Sequence, residues 1–266
     1  RGPRDRLLLA RTLLWNGEAE RVQGHNSEAV GLFERAVKRA EALDDPAQAA
    51  SIILDAQTAL GDLAIARREF LPAARHYQSA VTVGQAQFKA SPGSRDTRIA
   101  FARALMGFGE LQMSSGPTSA ERAPEYFRHA RGLLADESIN GGEPDREALE
   151  ILVRLNRFEA NLAVLDGNTA LAIDKLRQHV KGAQQLVEMD PGRPHLRQAL
   201  AQGAGVLGTT ERKAGRLRDA VESQRMAVEG WRLLRAMEPS EIRWRRQWAR
   251  STRDLAGLLA DVGEWQ

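Results

Sequence analysis

Hydrophobic positions along the chain recur at helical spacing. Between residues 217 and 234, mostly apolar residues stand three or four positions apart, which predicts one buried stripe on an amphipathic helix. The same periodicity predicts helices near residues 4–23, 27–43, 47–67, 71–90, 94–115, 119–136, 145–166, 169–189, 193–214, 216–237 and 240–262. No segment alternates apolar and polar residues as a half-buried strand does. The pattern therefore favours an all-α fold.

One sequence pattern returns five times, on the second helix of each predicted pair. It consists of Ala, three residues, a large residue, two residues and usually a second Ala. Its copies are Ala29–Phe33–Ala36, Ala73–Tyr77–Ala80, Ala123–Phe127–Ala130, Ala172–Leu176–His179 and Ala220–Gln224–Ala227. A period of 44 to 50 residues is typical of solenoids, in which each helix pair packs on its neighbours. We expect a right-handed α-solenoid of about five antiparallel helix pairs and one terminal helix.

Small residues and turn residues follow the same register. A small residue stands 12 to 14 positions before each copy, at Gly17, Gly61, Gly109, Ala160 and Gly208, and once more at Ala256. A helical Gly costs about 0.5–1 kcal/mol relative to Ala, so its repetition predicts close approach of the paired helix. The expected helix-ending glycines are Gly24, Gly116, Gly167, Gly215 and Gly263. The prolines expected to separate the pairs are Pro46, Pro92, Pro144, Pro191 and Pro239.

The link between the third and fourth pairs is longer and more polar than the others. Residues 136–144 read Asp-Glu-Ser-Ile-Asn-Gly-Gly-Glu-Pro. Two interpretations remain open, a surface insertion or a hinge within a continuous solenoid. The hinge would divide repeats 1 to 3, residues 1–137, from repeats 4 and 5 with the terminal helix, residues 138–266.

The paired signature resembles the tetratricopeptide repeat. Leu60-Gly61 with Ala73–Tyr77–Ala80 matches that family well, and Leu207-Gly208 with Ala220–Ala227 matches it moderately. The resemblance covers essentially the whole chain but departs in period, which is about 34 residues in the standard repeat. Similar long-helix arrays occur in large bacterial signalling and defence proteins. The resemblance implies a non-catalytic scaffold that binds a protein or peptide, as the regulatory or recruiting region of such a protein.

The composition argues against catalysis and against metal binding. The chain has no cysteine, which excludes disulfides, zinc ribbons and thiol catalysis and fits a cytoplasmic protein. Its five histidines lie in different repeats, and no zinc-protease, nucleophile-elbow or phosphate-loop motif occurs. We expect no enzymatic activity, no cofactor and no metal. No apolar run reaches the length of a spanning helix, so a membrane partner is not expected.

In the tetratricopeptide family, first-helix residues line a concave groove, and the resemblance places the candidate binding residues there. The lining positions fall about 6 and 3 residues before the small packing residue, and 1, 4 and 5 residues after it. The expected peptide-binding residues are Arg11, Arg103, Arg154, Arg157, Asn161, Arg212 and Arg250. Because Arg binds carboxylates through paired, charge-assisted hydrogen bonds, the set favours an acidic peptide or protein segment. The alternative is that Arg is the common exposed residue of this chain.

The last helix interleaves Arg and Trp over Arg243–Arg250. Trp231, Trp244 and Trp248 are candidate contacts for a partner, for a second copy or for an effector domain of the same polypeptide, although their register also fits core packing. Basic and aromatic residues together can bind nucleic acid, but the net charge of +3 argues against it. Apolar residues of this helix are expected to be exposed or to meet another domain, namely Leu255, Leu258, Leu259 and Val262.

Overall fold

The computed structural model describes residues 2–116, 120–135 and 145–263. Within these ranges the chain forms eleven α-helices and no strand, which confirms the all-α prediction. The chain divides into two compact units, residues 1–144 (unit 1) and 145–266 (unit 2). The predicted link 136–144 lies outside the described residues. The hinge and the division of the chain at residue 137 therefore stay predictions.

Unit 1 contains three helix pairs packed in chain order. Its helices are α1 (Pro3–Gln23), α2 (Asn26–Ala40), α3 (Pro46–Ala66), α4 (Phe70–Ala90), α5 (Arg95–Ser114) and α6 (Ala123–Leu134). Each helix packs on the next along the chain, and the first helices of the pairs, α1, α3 and α5, also contact one another in that order.

Unit 2 contains two helix pairs and a final helix. Its helices are α7 (Arg146–Leu165), α8 (Thr169–Met189), α9 (Pro194–Lys213), α10 (Leu217–Met237) and α11 (Ile242–Asp261). Here too each helix packs on the next along the chain. The first helices of unit 2 are α7, α9 and α11.

Helices begin at side-chain caps and prolines. Asp45 caps α3 by accepting hydrogen bonds from the backbone N–H groups of Ala47 and Gln48, at 3.0 and 3.1 Å. Pro46 occupies the first turn, where its missing N–H costs no helical bond. Asp145 caps α7 in the same way. These local signals fix where the first helices start.

Helices end at the glycines expected to reverse the chain. The φ angles are 85°, 120°, 73°, 75° and 74° at Gly24, Gly116, Gly167, Gly215 and Gly263. Each of these glycines lies seven residues after the small packing residue of its first helix. In the second pair the same register position holds Arg68, whose φ is 61°. A left-handed backbone costs a residue with a side chain about 1–2 kcal/mol.

Each helix pair of unit 1 closes with an aromatic ring on a glycine. The contacting pairs are Gly17–Phe33, Gly61–Tyr77 and Gly109–Phe127. In the first two pairs, a Cβ added to the glycine would lie 2.8 Å from ring carbons, closer than atoms can pack. The prediction that these glycines permit close helix approach is confirmed in unit 1.

The core of unit 1 centres on α3. By length and composition this helix could span a membrane, since an 18-residue window has a mean hydropathy of 1.3. Polar residues are interspersed along α3, so the helix contains no uninterrupted apolar run of spanning length. Half of the window is buried inside the protein, and Ile52 and Leu60 belong to the same core cluster as Phe33. Contacts with α1, α2, α4 and α5 account for its apolar composition.

The final helix, α11, packs its apolar face on α10. Leu258 is buried, and Leu255, Leu259 and Val262 pack partly buried against the cluster that contains Ala220. The expectation that these residues are exposed or meet another domain is therefore wrong for Leu258, which α10 covers, whereas Leu255, Leu259 and Val262 remain partly exposed. Five of the eleven exposed residues of α11 are Arg.

Candidate partner-binding face

The seven predicted peptide-binding residues all lie on first helices, but they fall in both units. Arg11 on α1 and Arg103 on α5 belong to unit 1. The remaining residues belong to unit 2, with Arg154, Arg157 and Asn161 on α7, Arg212 on α9 and Arg250 on α11. The five residues on α7, α9 and α11 thus share one compact unit, and Arg11 and Arg103 belong to the other.

Two contacts fix the first helices of unit 2 beside one another. The Arg212 guanidinium of α9 lies 2.6 Å from the Asp261 carboxylate of α11. Between α7 and α9, the His179 ring of α8 places Nδ1 2.8 Å from the Val153 carbonyl oxygen and Nε2 3.2 Å from that of Ala199. The exposed sides of α7, α9 and α11 therefore belong to neighbouring helices in one layer.

This layer carries an excess of positive charge. Each first helix has five lining positions, counted from its packing residue. Over its three first helices, unit 2 has six basic residues and one acidic residue at these positions. We define the basic face as Arg154, Arg157, Arg212, Lys213, Arg250 and Arg253, with Asp261 as the acidic residue. All seven are exposed or half-exposed. Asp254 adds a second carboxylate one turn after Arg250 on α11.

The same lining positions of unit 1 are not basic. They hold three basic and four acidic residues, namely Arg11, Arg21, Arg103, Glu18, Asp55, Asp62 and Glu110. The Arg21 Nε donates to the Glu18 carboxylate at 2.9 Å, and Arg103 lies 3.8 Å from Asp55. These pairs leave no excess of positive charge on the unit 1 face.

His179 is a buried structural residue near the basic face. Burial lowers the pKa of His179; hydrogen bonds to the two backbone carbonyls oppose this shift, and the charge of Arg157 adds to it. A neutral imidazole donates one hydrogen bond, and the shorter contact assigns it to Nδ1 and Val153. Position 203 of α9 must be Gly, since an added Cβ would collide with the ring. Among the described residues, no cluster of three or more His, Asp or Glu side chains is arranged to hold a metal ion.

A buried carboxylate ties three helices of unit 2 together. Glu211 of α9 is only 1% exposed. It accepts hydrogen bonds from Arg177 of α8 and from the Ser223 hydroxyl of α10, each at 2.7 Å. Arg177 also donates to Asp219 at 2.8 Å, and its hydrogen bond to Glu211 raises the pKa of Arg177. Sequence reasoning missed this network, because the same register position holds Ala64 and Ala163 but also Glu20 and Gln112, so the sequence alone does not mark Glu211 as buried.

Gln224 of α10 occupies the register position that carries an aromatic ring in unit 1. The side chain is 2% exposed, and its Nε2 donates to the Ser251 carbonyl of α11 at 3.0 Å. A Cβ added to Gly208 would lie 3.1 Å from the Ala220 carbonyl oxygen and 3.2 Å from the Gln224 Oε1. The gap that a ring fills in unit 1 is thus filled here by an amide.

The Trp residues of α10 and α11 pack mainly on each other. Trp231 and Trp244 are buried with their ring centroids 5.8 Å apart, in the same core cluster as Leu234. Trp248 is half-buried, with the Arg235 guanidinium 4.2 Å from its ring centroid. Core packing is therefore confirmed for Trp231 and Trp244. Contact of this cluster with a partner stays a prediction, and the side chain available for it is Trp248.

Solved structures of other proteins have a similar arrangement of helices. The nuclear import adaptor Nro1, a hypoxic regulator of sterol synthesis, matches with a TM-score of 0.68 and 14% identity over 96% of this chain and 82% of its own. BtubC (BKLC) from P. vanneervenii matches with a TM-score of 0.56 and 18% identity over 90% of each chain. The chain has a tetratricopeptide-like fold.

A third match is TTC0263, a tetratricopeptide protein of Thermus thermophilus, with a TM-score of 0.47 and 19% identity over 91% of this chain and 98% of its own. No protein-family model and no curated protein sequence matches the chain. At 14% and 18% identity, the likeness to Nro1 and BtubC shows the fold alone, and the partner has to be argued from the residues themselves.

Proposed function

We propose that the chain is a non-catalytic protein-interaction module that binds an acidic protein segment through the basic face of unit 2. It would act as the regulatory or recruiting region of a larger bacterial signalling or defence protein in the cytoplasm. The observation that carries the proposal is the charge contrast at equivalent positions, where unit 2 has six basic residues against one acidic and unit 1 has three against four.

The kind of residue also supports an acidic ligand. Every basic residue on this face except Lys213 is Arg, whose planar guanidinium binds a carboxylate through two parallel hydrogen bonds. Asn161 is exposed one turn after Arg157 on α7 and can bond both to backbone N–H and to carbonyl groups of an extended peptide. A stack of first helices presents such groups at regular intervals along one surface.

The test uses the 266-residue chain and a fluorescein-labelled peptide of alternating Glu and Gly, followed by fluorescence anisotropy. The variant with Arg154→Glu, Arg157→Glu and Arg250→Glu should bind at least about tenfold more weakly, because each reversal places like charges together. Affinity of the unaltered chain should fall as salt is raised, because exposed charge pairs are screened.

The matched control reverses three Arg residues on α10, with Arg218→Glu, Arg225→Glu and Arg232→Glu. These residues lie on a second helix and are exposed, and their reversal changes the net charge by the same amount. Binding within about twofold of the unaltered chain is expected for the control. Equal loss in both variants would show that net charge, and not the basic face, attracts the peptide.

A further inference from the structure

An exposed apolar stripe runs along α1, outside the basic face. Leu8 is 60% exposed, Trp15 is 62% exposed and Val22 is 75% exposed. These residues stand seven positions apart, so they form one line along the helix. Buried residues of α1, such as Ala10 and Leu13, face the core of unit 1. Apolar residues therefore occupy two sides of α1, and α2 and α3 cover one of them.

The register of Leu8 and Trp15 is that of a helix-packing surface, whereas the equivalents of Val22 in α3 and α5, Ala66 and Ser114, are exposed. Leu8 and Trp15 lie 9 and 2 residues before the packing residue Gly17. In α3 the equivalent residues are Ile52 and Ala59, and both pack on the cluster formed by the preceding pair, α1 and α2.

The third first helix of unit 1 repeats this contact. In α5 the equivalent of Trp15 is Gly107, and a Cβ added there would meet the ring of Tyr77 in the preceding pair. These positions therefore contact another helix wherever unit 1 supplies one. In α1 they carry large apolar side chains that remain exposed.

The charges beside the stripe can match those of a second copy, in which Arg11 would join Arg21 of the same helix as a partner of Glu18. Arg11 and Glu18 flank Trp15 on the same side of the stripe, four residues before it and three after it. Around a two-fold axis through Trp15, two antiparallel α1 helices would place Leu8 against Val22 and Arg11 against Glu18. Contacts that repeat in both directions are the property of an isologous interface.

The other flank of the stripe is compatible with close approach of two helices. Thr12 and Ala19 lie there, and the same two-fold axis places one against the other. Small residues on a helix surface allow the backbones to come near. The stripe, its charged flank and its small flank are therefore all self-complementary about one residue, Trp15.

We propose that α1 forms an antiparallel, two-fold symmetric contact with α1 of a second copy, centred on Trp15. A contact made by one helix buries less than the standard interface of about 800 Å² per partner. The dimer is accordingly weak, with a dissociation constant expected in the micromolar range.

Sedimentation equilibrium of the full chain from about 5 to about 500 µM should show a monomer–dimer transition. Arg11→Glu places Glu against Glu18 of the second copy, and Glu18→Arg places Arg against Arg11. Each variant alone should weaken the dimer at least about tenfold. An equimolar mixture of the two should restore it, because both charge pairs are then attractive in the heterodimer.

Two further variants separate the stripe from general surface effects. Trp15→Ser should abolish the dimer, whereas Leu71→Ser, at a residue of α4 that is 66% exposed, should leave it intact. Far-UV circular dichroism of each variant checks that the helices are retained. A monomer at every concentration, or a mixture of the charge variants that fails to dimerise, would overturn the proposal and leave the stripe for a different helical partner.

Discussion

In unit 1 the gap between paired helices is filled by an aromatic ring, whereas in unit 2 the same register position holds Leu176 and Gln224. The difference extends through both cores. Among the described residues, unit 1 buries the polar side chain of Thr58 and the Tyr77 hydroxyl, which donates to Asp62. Unit 2 buries those of Asn156, His179, Thr210, Glu211, Ser223, Gln224 and Ser251. Two units with the same order of helices thus have cores of different chemistry.

The contrast separates packing by shape from packing by hydrogen bonding. A ring against a glycine depends on the space available, and a displaced ring still meets apolar atoms. A buried polar group needs its own partner, as Glu211 needs Arg177 and Gln224 needs Ser251. Leaving such a group without a partner costs about 1–3 kcal/mol. We expect unit 2 to discriminate more sharply than unit 1 against wrong helix pairings.

The largest effect is expected from placing a methyl group at the small packing position of each unit. In Gly61→Ala the new Cβ would meet the Tyr77 ring, which Gly107 confines from the other side. We expect the free energy of unfolding to fall by about 3 kcal/mol. In Gly208→Ala the neighbours lie 3.1 Å or more away, and the helix propensity of Ala offsets the strain. Here we expect a change within about 1 kcal/mol.

Urea unfolding followed by far-UV circular dichroism measures both variants. Gly31→Ala is the control, because nothing lies within 4 Å of a Cβ at that position of α2, and it should be neutral or stabilising. Similar losses in Gly61→Ala and Gly208→Ala would show that the units do not differ at this position.

A smaller and pH-dependent effect is expected from His179. Burial lowers the pKa of His179 in the folded state. As the pH falls below about 6.5, His179 is therefore protonated in the unfolded chain before it is protonated in the folded chain. The stability that His179 contributes is therefore full above that pH and is lost as the pH falls through the folded pKa. We expect His179→Ala to cost about 2 kcal/mol at neutral pH and less at acid pH.

Tryptophan fluorescence suits this measurement because the buried Trp231 and Trp244 both belong to unit 2. Urea titrations above and below the unfolded His pKa, on the unaltered chain and on His179→Ala, give the difference in stability at each pH. His195→Ala is the control at an exposed histidine of the same unit. A difference that does not narrow with falling pH would contradict a neutral, buried His179.

The smallest effect is expected at the turn of the second pair. Arg68→Gly removes a side chain from a left-handed backbone and should stabilise unit 1 by about 0.5–1 kcal/mol, after the entropy cost of Gly. The reverse change at the equivalent turn of unit 2, Gly215→Arg, should destabilise by about 1–2 kcal/mol. Thermal melts followed by circular dichroism measure both. A lower melting temperature for Arg68→Gly would mean that the arginine makes compensating contacts.

The features predicted correctly from sequence are the local and periodic ones. Helix positions follow from apolar spacing, and the helix-ending glycines follow from their fixed distance to the packing residue, as at Gly167 and Gly215. The small packing residues of unit 2, Ala160, Gly208 and Ala256, repeat every 48 residues. Each of these signals is contained within one helix pair.

The features that sequence reasoning missed depend on what another helix supplies. From the sequence alone, Glu211 resembles any surface carboxylate. Its buried role becomes clear only when Arg177 and Ser223 are found beside it. From the sequence alone, His179 looks like a substitution of the second Ala of the repeat pattern. Its packing role becomes clear only from the contact between its ring and Gly203. The exposed stripe on α1 was hidden for the opposite reason, because its apolar spacing is that of an ordinary core helix.

The fit of His179 to Gly203 bears on how this chain can change over time. Repeat arrays commonly gain or lose length when neighbouring copies recombine, which requires copies that can replace one another. The equivalent of Gly203 in the next first helix is Ser251, and the equivalent of His179 in the next second helix is Ala227. A rearrangement that set His179 against a serine would meet a side chain where only hydrogen fits. The helix pairs of unit 2 therefore have a fixed order, and the length of this part of the chain is harder to alter than its periodicity suggests.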